Sequence, residues 1–164
     1  MGRVMSLEAA AEYRRLLRTA GKTVVFTNGL FDLLHLGHLD YLERARALGD
    51  TLIVGLNSDT SSRALKGAAH PILSQEERSQ LLAALRAVDV VVIFDELTAS
   101  DLIRALEPDI YVKGGDYARK SWPEKEIALA LGCRVELIPF LEGHSTSRIV
   151  ERIVARFGKN GSAT

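Results

Sequence analysis

Five short apolar runs, each followed by a stretch whose apolar residues recur at helical spacing, leave this chain few architectures. The runs are Thr23–Phe26 (TVVF), Thr51–Leu56 (TLIVGL), Val88–Phe94 (VDVVVIF), Asp109–Lys113 (DIYVK) and Arg134–Ile138 (RVELI). The second is apolar almost without interruption, as a strand covered on both faces must be. Strands alternating with helices imply a parallel sheet, helices on both of its faces and right-handed crossovers. The expected fold is therefore α/β: a Rossmann-like, doubly wound, five-stranded parallel sheet.

Helix signals sit between the runs. Ser6 can cap a helix over Leu7–Arg18 that Gly21 ends. A second spans about His38 to Leu48, with Leu39, Leu42 and Ala45 on one face. Asn57-Ser58-Asp59 opens a short helix or turn, and Lys66-Gly67 follows in a loop that runs to Pro71. Ser74 and Glu77 make a capping-box pattern for a helix to about Arg86. Further helices are expected over Ala99–Leu106, from Pro123 to Gly132, and after Ser145. In the last, Ile149, Val150, Ile153, Val154 and Phe157 supply the apolar positions. For 164 residues, 47% of them hydrophobic, one domain is expected over residues 1–158. Residues 1–21 would be its N-terminal helix and 159–164 a frayed tail.

In sheets of this kind ligands bind outside the carboxyl ends of the strands, where the strand order reverses. Thr27-Asn28-Gly29, Asn57-Ser58-Asp59, Lys113-Gly114-Gly115-Asp116 and the loop Glu142–Ser147 each follow a strand, so they gather at one sheet edge. The first belongs to Thr27–Leu39, which reads TNGLFDLLHLGHL. A strand that runs into a helix leaves the helix's first N–H groups free for an anion. Gly29 and Gly37 carry no Cβ and let a ligand approach the backbone. His35 and His38 can donate hydrogen bonds to phosphate oxygens. Two histidines at this spacing can also hold a metal, but His70, His144 and Cys133 are too scattered to complete a zinc site. No G-x-G-x-x-G follows the first strand, which disfavours a dinucleotide site. Gly21-Lys22-Thr23 imitates the end of a P-loop. However, Leu16 stands where the first glycine belongs, and the triplet precedes a strand instead of following one.

Charge and cysteine content narrow the class. Lys and Arg total 21, and Asp and Glu total 21. A chain of zero net charge lacks the basic surplus typical of nucleic-acid binding. Cys133 is the only cysteine, so no internal disulfide can form, in keeping with a reducing cytoplasmic setting. No apolar run is long enough to cross a bilayer. The expected partners are small molecules, with neither nucleic acid nor membrane.

HLGH resembles the HxGH signature of the nucleotidyltransferase superfamily, which includes the class I aminoacyl-tRNA synthetases. The wider stretch TNGLFDLLHLGHLDYLERARALGD (Thr27–Asp50) resembles the cytidylyltransferase-like branch. Within that branch it is most similar to the adenylyltransferase domains of the heptose kinase/adenylyltransferases of ADP-heptose synthesis. Lys66-Gly67, Tyr111–Tyr117 (YVKGGDY) and Glu142–Ser147 (EGHSTS) resemble three further elements of that family, in the same order. The similarity covers about Gly21 to Ile153.

The resemblance implies an enzyme that transfers AMP from ATP to D-glycero-D-manno-heptose 1-phosphate and releases pyrophosphate. Mg²⁺ would accompany the ATP, and the assembly would be a homodimer. His35, His38 and Lys66 would be catalytic, the histidines on nucleotide phosphates and the lysine paired with a phosphate of either substrate. Asn28, Gly29, Leu30, Phe31, Gly37, Arg78, Lys113, Gly114, Asp116, Ser145, Thr146 and Ser147 would hold the nucleotide. Asp32, Asp59 and Lys66 would hold the acceptor, and no residue is expected to bind a metal of its own. The chain departs from the family pattern at His70, where an arginine usually precedes Pro71. Phe140-Leu141 occupies the stretch where glycerol-3-phosphate cytidylyltransferases carry an arginine, which counts against cytidylyl transfer. Three alternatives stand beside the main reading: a polyol-phosphate cytidylyltransferase, a heptose-1-phosphate guanylyltransferase, and an inactive nucleotide-binding regulatory module. The intact HLGH and STS stretches speak against the last.

Overall fold

The computed structural model describes residues 1–115 and 122–158. In chain order the elements are β1 (Arg3–Met5), α1 (Leu7–Thr19), β2 (Val24–Gly29), α2 (Leu36–Arg46), β3 (Thr51–Asn57), α3 (Asp59–Lys66) and α4 (Gln75–Ala84). They continue with β4 (Val90–Phe94), α5 (Ser100–Leu106), β5 (Ile110–Gly114), α6 (Pro123–Ala130), β6 (Arg134–Ile138) and α7 (Thr146–Phe157). The strands form one sheet in the order β1-β4-β3-β2-β5-β6. Every pairing is parallel. The Rossmann-like doubly wound architecture holds, with six strands instead of five.

The extra strand is β1, and its sequence carries almost no signal. Three residues are too few to display an alternation, and an edge strand of this length buries little. Its pairing is set from outside: Arg3, Val4 and Met5 align with Val90, Val91 and Val92. The N-terminal segment is therefore a strand followed by a helix, not a helix alone.

The two-residue period of the strands decides which helices cover which face. Val25, Leu52, Val54, Leu56, Val91 and Val112 share a core with Tyr41, Leu42 and Ala45 of α2 and with Leu82 and Ala83 of α4. Their neighbours Val24, Phe26, Ile53, Val90, Val92 and Tyr111 meet Ala10 of α1, Leu102, Ile103 and Leu106 of α5, and Ala128 of α6. Local caps behave as their sequences require. Ser74 Oγ accepts from the Glu77 N–H (3.2 Å), and Glu77 Oε2 accepts from the Ser74 N–H (2.9 Å), a complete capping box. Ser6, Ser58 and Ser145 likewise cap α1, α3 and α7. Lys66 closes α3 instead of lying in the loop after it; Gly67, at φ 94°, ends the helix.

α7 departs from the pattern. None of its residues is buried, and Ile153, Val154 and Phe157 are 50%, 61% and 80% exposed. Of the apolar positions read from the sequence, Ile149 and Val150 are partly buried, and no described residue buries Ile153, Val154 or Phe157.

Strand order places the ligand crevice. β2, β3 and β4 follow one another across the sheet, and β5 then returns to the free side of β2. β2 and β5 pair only through Val25, Phe26 and Thr27 with Ile110, Tyr111 and Val112. Beyond that point Asn28 and Gly29 stay with β3, while Lys113 and Gly114 stay with β6. The two strands part at the residues the sequence marked for binding, as the switch-point rule requires.

Candidate active site at the strand switch point

A cleft of about 760 Å³ opens where β2 and β5 separate. Its base is tied together by one tyrosine. The Tyr41 hydroxyl, from α2, donates to the Val112 carbonyl of β5 (3.2 Å) and takes a hydrogen bond from Thr27 Oγ1 of β2 (2.6 Å). Burial pushes the Tyr41 phenol well above its ordinary pKa, so it stays protonated and keeps this bridge. α2 is thereby held over the gap between the strands, with its N-terminus at the cleft.

The loop from β2 to α2 is shaped by an unusual backbone. Phe31 adopts φ 46°, in the left-handed region that side chains other than glycine seldom enter. Its ring lies against Gly29, where an added Cβ would come within 3.0 Å of Phe31 Cε2. The same ring meets His38 at 5.3 Å between centroids. His38 in turn stacks on His35, with centroids 3.8 Å apart and planes 22° from parallel. His35 is the N-cap of α2 and makes no side-chain bond to the first turn. Gly37 permits the stack: a Cβ there would sit 3.0 Å from the His35 ring and 3.1 Å from the His144 carbonyl oxygen.

Crowding of two rings in a half-buried site fixes their charge. Burial, then the neighbouring His35, lowers the His38 pKa to about 4, against a bond to Leu33 that raises it. Burial and then His144 lower that of His35. Both imidazoles are neutral at pH 7, so each offers one N–H donor. Burial also lowers the Lys113 pKa, with Glu124 raising it.

This arrangement carries a pH consequence. A histidine near 4 when folded and 6.5 when unfolded contributes stability that is full above about pH 6.5 and is lost as the pH falls towards 4. Between pH 7 and 4.5 the native protein should lose about 2 kcal/mol more stability than a His38→Asn variant. Urea denaturation at the two pH values measures this. Equal losses in both proteins would contradict the assignment.

Thirteen of the residues singled out from the sequence line this one cleft: Asn28, Gly29, Leu30, Phe31, Asp32, His35, His38, Lys66, Lys113, Gly114, Ser145, Thr146 and Ser147. Gly37 lies beneath the histidines, not in the wall. Asp116 falls outside the described residues. Arg78 requires correction: it is fully buried and does not line the cleft. Its guanidinium donates to the carbonyls of Leu73 (3.0 Å), Leu30 (2.6 Å) and Asn57 (2.9 Å) and to Asp59 Oδ1 (2.7 Å). The charge expected to hold the nucleotide is spent on holding Leu30 at the cleft and the start of α3. Asp59 is corrected with it, since its carboxylate pairs with Arg78 and it does not line the cleft.

Tyr41, His70, Phe140, His144, Val150 and Glu151 also line the cleft and were not among the expected contacts. Phe140 sits edge-on to Tyr41 at 6.1 Å and packs over Gly114, where a methyl group would collide with its ring. Its signal was the departure already visible at Phe140-Leu141. His70 was likewise marked by its departure before Pro71, His144 occupies the open position within EGHSTS, and Tyr41, Val150 and Glu151 carry no local pattern.

A parallel doubly wound sheet with an HxGH helix at its switch point defines a nucleotidyltransferase. The sequence profile described as Cytidylyltransferase-like matches residues 26–152, and the chain belongs to this family. Curated relatives named bifunctional protein HldE share about half of its residues. That of Syntrophotalea carbinolica is 52% identical over 150 residues, covering 92% of this chain and 31% of the relative. That of Wolinella succinogenes is 52% identical over 151 residues, covering 92% and 31%. That of Geobacter sulfurreducens is 48% identical over 157 residues, covering 96% and 32%. The chain thus spans about a third of the length of these relatives. Among solved structures it is similar to the lipopolysaccharide core biosynthesis protein from Thermoplasma volcanium. The match has a TM-score of 0.60 and 30% identity, and it covers 76% of this chain and all of the other. Among the described residues no helix is long and apolar enough to cross a membrane.

Proposed function

We propose that this chain transfers AMP from ATP to D-glycero-D-manno-heptose 1-phosphate, giving ADP-heptose and pyrophosphate. The observation that carries the reading is the cleft itself, where the HLGH, KGG and STS stretches converge on one switch point. The half-identical HldE relatives support it. An oxygen of the sugar phosphate attacks the α-phosphorus in line. The bond from that phosphorus to the bridging oxygen breaks, and pyrophosphate leaves with the electron pair. No proton must be removed from the attacking phosphate oxygen, so the chain's task is positioning and charge stabilisation. His35 and His38 donate to the nucleotide phosphates. Ser145, Thr146 and Ser147, at the N-terminus of α7, cradle the departing pyrophosphate. Lys66 pairs with the acceptor phosphate, and Asn28, Gly29, Leu30, Phe31, Lys113 and Gly114 seat the nucleoside. Asp116 is assigned there by resemblance alone.

Among the described residues no group of three or more His, Cys, Asp or Glu side chains is placed to hold a metal ion. On this reading Mg²⁺ accompanies the ATP, whose phosphate oxygens are its natural ligands. The same reading places the enzyme in the cytoplasm as a homodimer, with small molecules as its ligands. The uncovered apolar stripe of α7 supports a second copy there.

The test is pyrophosphate release from ATP, CTP, GTP and UTP, each with α- and β-heptose 1-phosphate and with glycerol 3-phosphate. Release with ATP and a heptose 1-phosphate is expected. Release only with CTP and glycerol 3-phosphate would keep the chemistry and overturn the substrates. Nucleotide binding without release from any pair would favour a regulatory module.

A further inference from the structure

The turn after α3 builds another part of the cleft wall. The His70 N–H donates to the Gly67 carbonyl (3.0 Å), and the turn so closed places both Lys66 and His70 at the cleft. Asp32 lines the same region yet is only 6% exposed. Its carboxylate accepts from the N–H groups of Ile72 (2.9 and 2.8 Å) and Leu73 (3.0 Å), and it meets His70 Nδ1 at 3.3 Å. A carboxylate acts here only as an acceptor, so Nδ1 carries the hydrogen. In the neutral ring Nε2 then holds the lone pair.

Most polar groups in the cleft suit phosphate because they donate: Lys66, Lys113, the hydroxyls of Ser145–Ser147 and the two stacked histidines. Two acceptors near them are occupied, while the Glu151 carboxylate also lines the cleft. Asn28 Oδ1 receives the Tyr111 hydroxyl (2.8 Å), and Asp32 is spent on its own three N–H donors. His70 differs, because a buried carboxylate sets its tautomer and leaves Nε2 as an acceptor for an incoming O–H.

We propose that His70 is a specificity residue for the acceptor, with Nε2 taking a hydrogen bond from a hydroxyl of the sugar phosphate. Asp32 is the positioning residue that fixes the ring and its tautomer. This rests on the sugar-phosphate reading above and adds to it the side chain that selects a hydroxylated acceptor. An arginine at this position could only donate.

Acceptor and nucleotide KM are measured separately at pH 8 for the native protein and for His70→Ala, His70→Gln and His70→Arg. His70→Ala should raise the acceptor KM about tenfold and leave the nucleotide KM within about twofold. His70→Gln, whose amide oxygen can accept, should recover most of that loss, whereas His70→Arg should not. On the monodeoxy acceptor that lacks the recognised hydroxyl, the native protein and His70→Ala should behave alike. An unchanged acceptor KM in His70→Ala overturns the inference alone, as does full recovery by His70→Arg, which would mean a phosphate contact. A shift confined to the nucleotide KM overturns it in favour of a ribose contact. If the native protein turns over no sugar phosphate at all, the parent reading fails and this one with it.

Discussion

His38→Ala should lower kcat by about 10²–10³, the loss typical of removing one preorganised donor from a developing charge. KM for either substrate should change by no more than about threefold, because the N–H contact strengthens as charge moves onto the transferring group. The geometry makes the effect large. His38 is held between the rings of His35 (3.8 Å) and Phe31 (5.3 Å), so its ring is already oriented and needs no reorganisation. Its low pKa removes any competing role as a fixed cation at neutral pH. His35→Ala should act in the same direction, and the double variant should lose less than the product of the two single losses, because each ring orients the other. Steady-state kinetics of pyrophosphate release measure all of this. A His38→Ala enzyme with native kcat would exclude the histidine pair from the chemistry.

The largest stability effect should come from a residue that never reaches the cleft. Arg78→Met should destabilise the fold by about 3–5 kcal/mol. The native guanidinium satisfies three carbonyls and a carboxylate in a fully buried position. Methionine fills similar volume but leaves the Leu30, Leu73 and Asn57 carbonyls and the Asp59 carboxylate without that donor. Arg78→Lys should recover little, since one ammonium cannot span acceptors on four segments. Activity should fall as well, because the Leu30 carbonyl is held at the cleft by this side chain. Urea denaturation gives the comparison, and a loss under about 1 kcal/mol would show that the buried network is not what holds these loops.

These two residues also mark how far a sequence can be read. His35 and His38 were legible because the motif is local: two rings three positions apart at a strand-to-helix junction must share one end of one helix. The Ser74–Glu77 box was legible for the same reason. The switch point followed from the order of strand and helix signals, without any single contact. Arg78 was not legible, because its acceptors lie on Leu30, Asn57, Asp59 and Leu73, and only the folded chain brings them together. Asp59 failed with it. β1 was missed because its pairing with Val90–Val92 is tertiary and its three residues carry no period. The apolar spacing of α7 correctly predicted a helix, but spacing cannot say whether a core exists to cover it.

Tracing the label of [α-³²P]ATP through a single turnover tests the central claim most directly. The account predicts that label passes to the sugar nucleotide only when ATP and the sugar phosphate are both present. It further predicts that denatured protein carries no label and that pyrophosphate does not exchange into ATP without the acceptor. Label bound to the protein, or exchange in the absence of the acceptor, would contradict direct in-line transfer at this cleft.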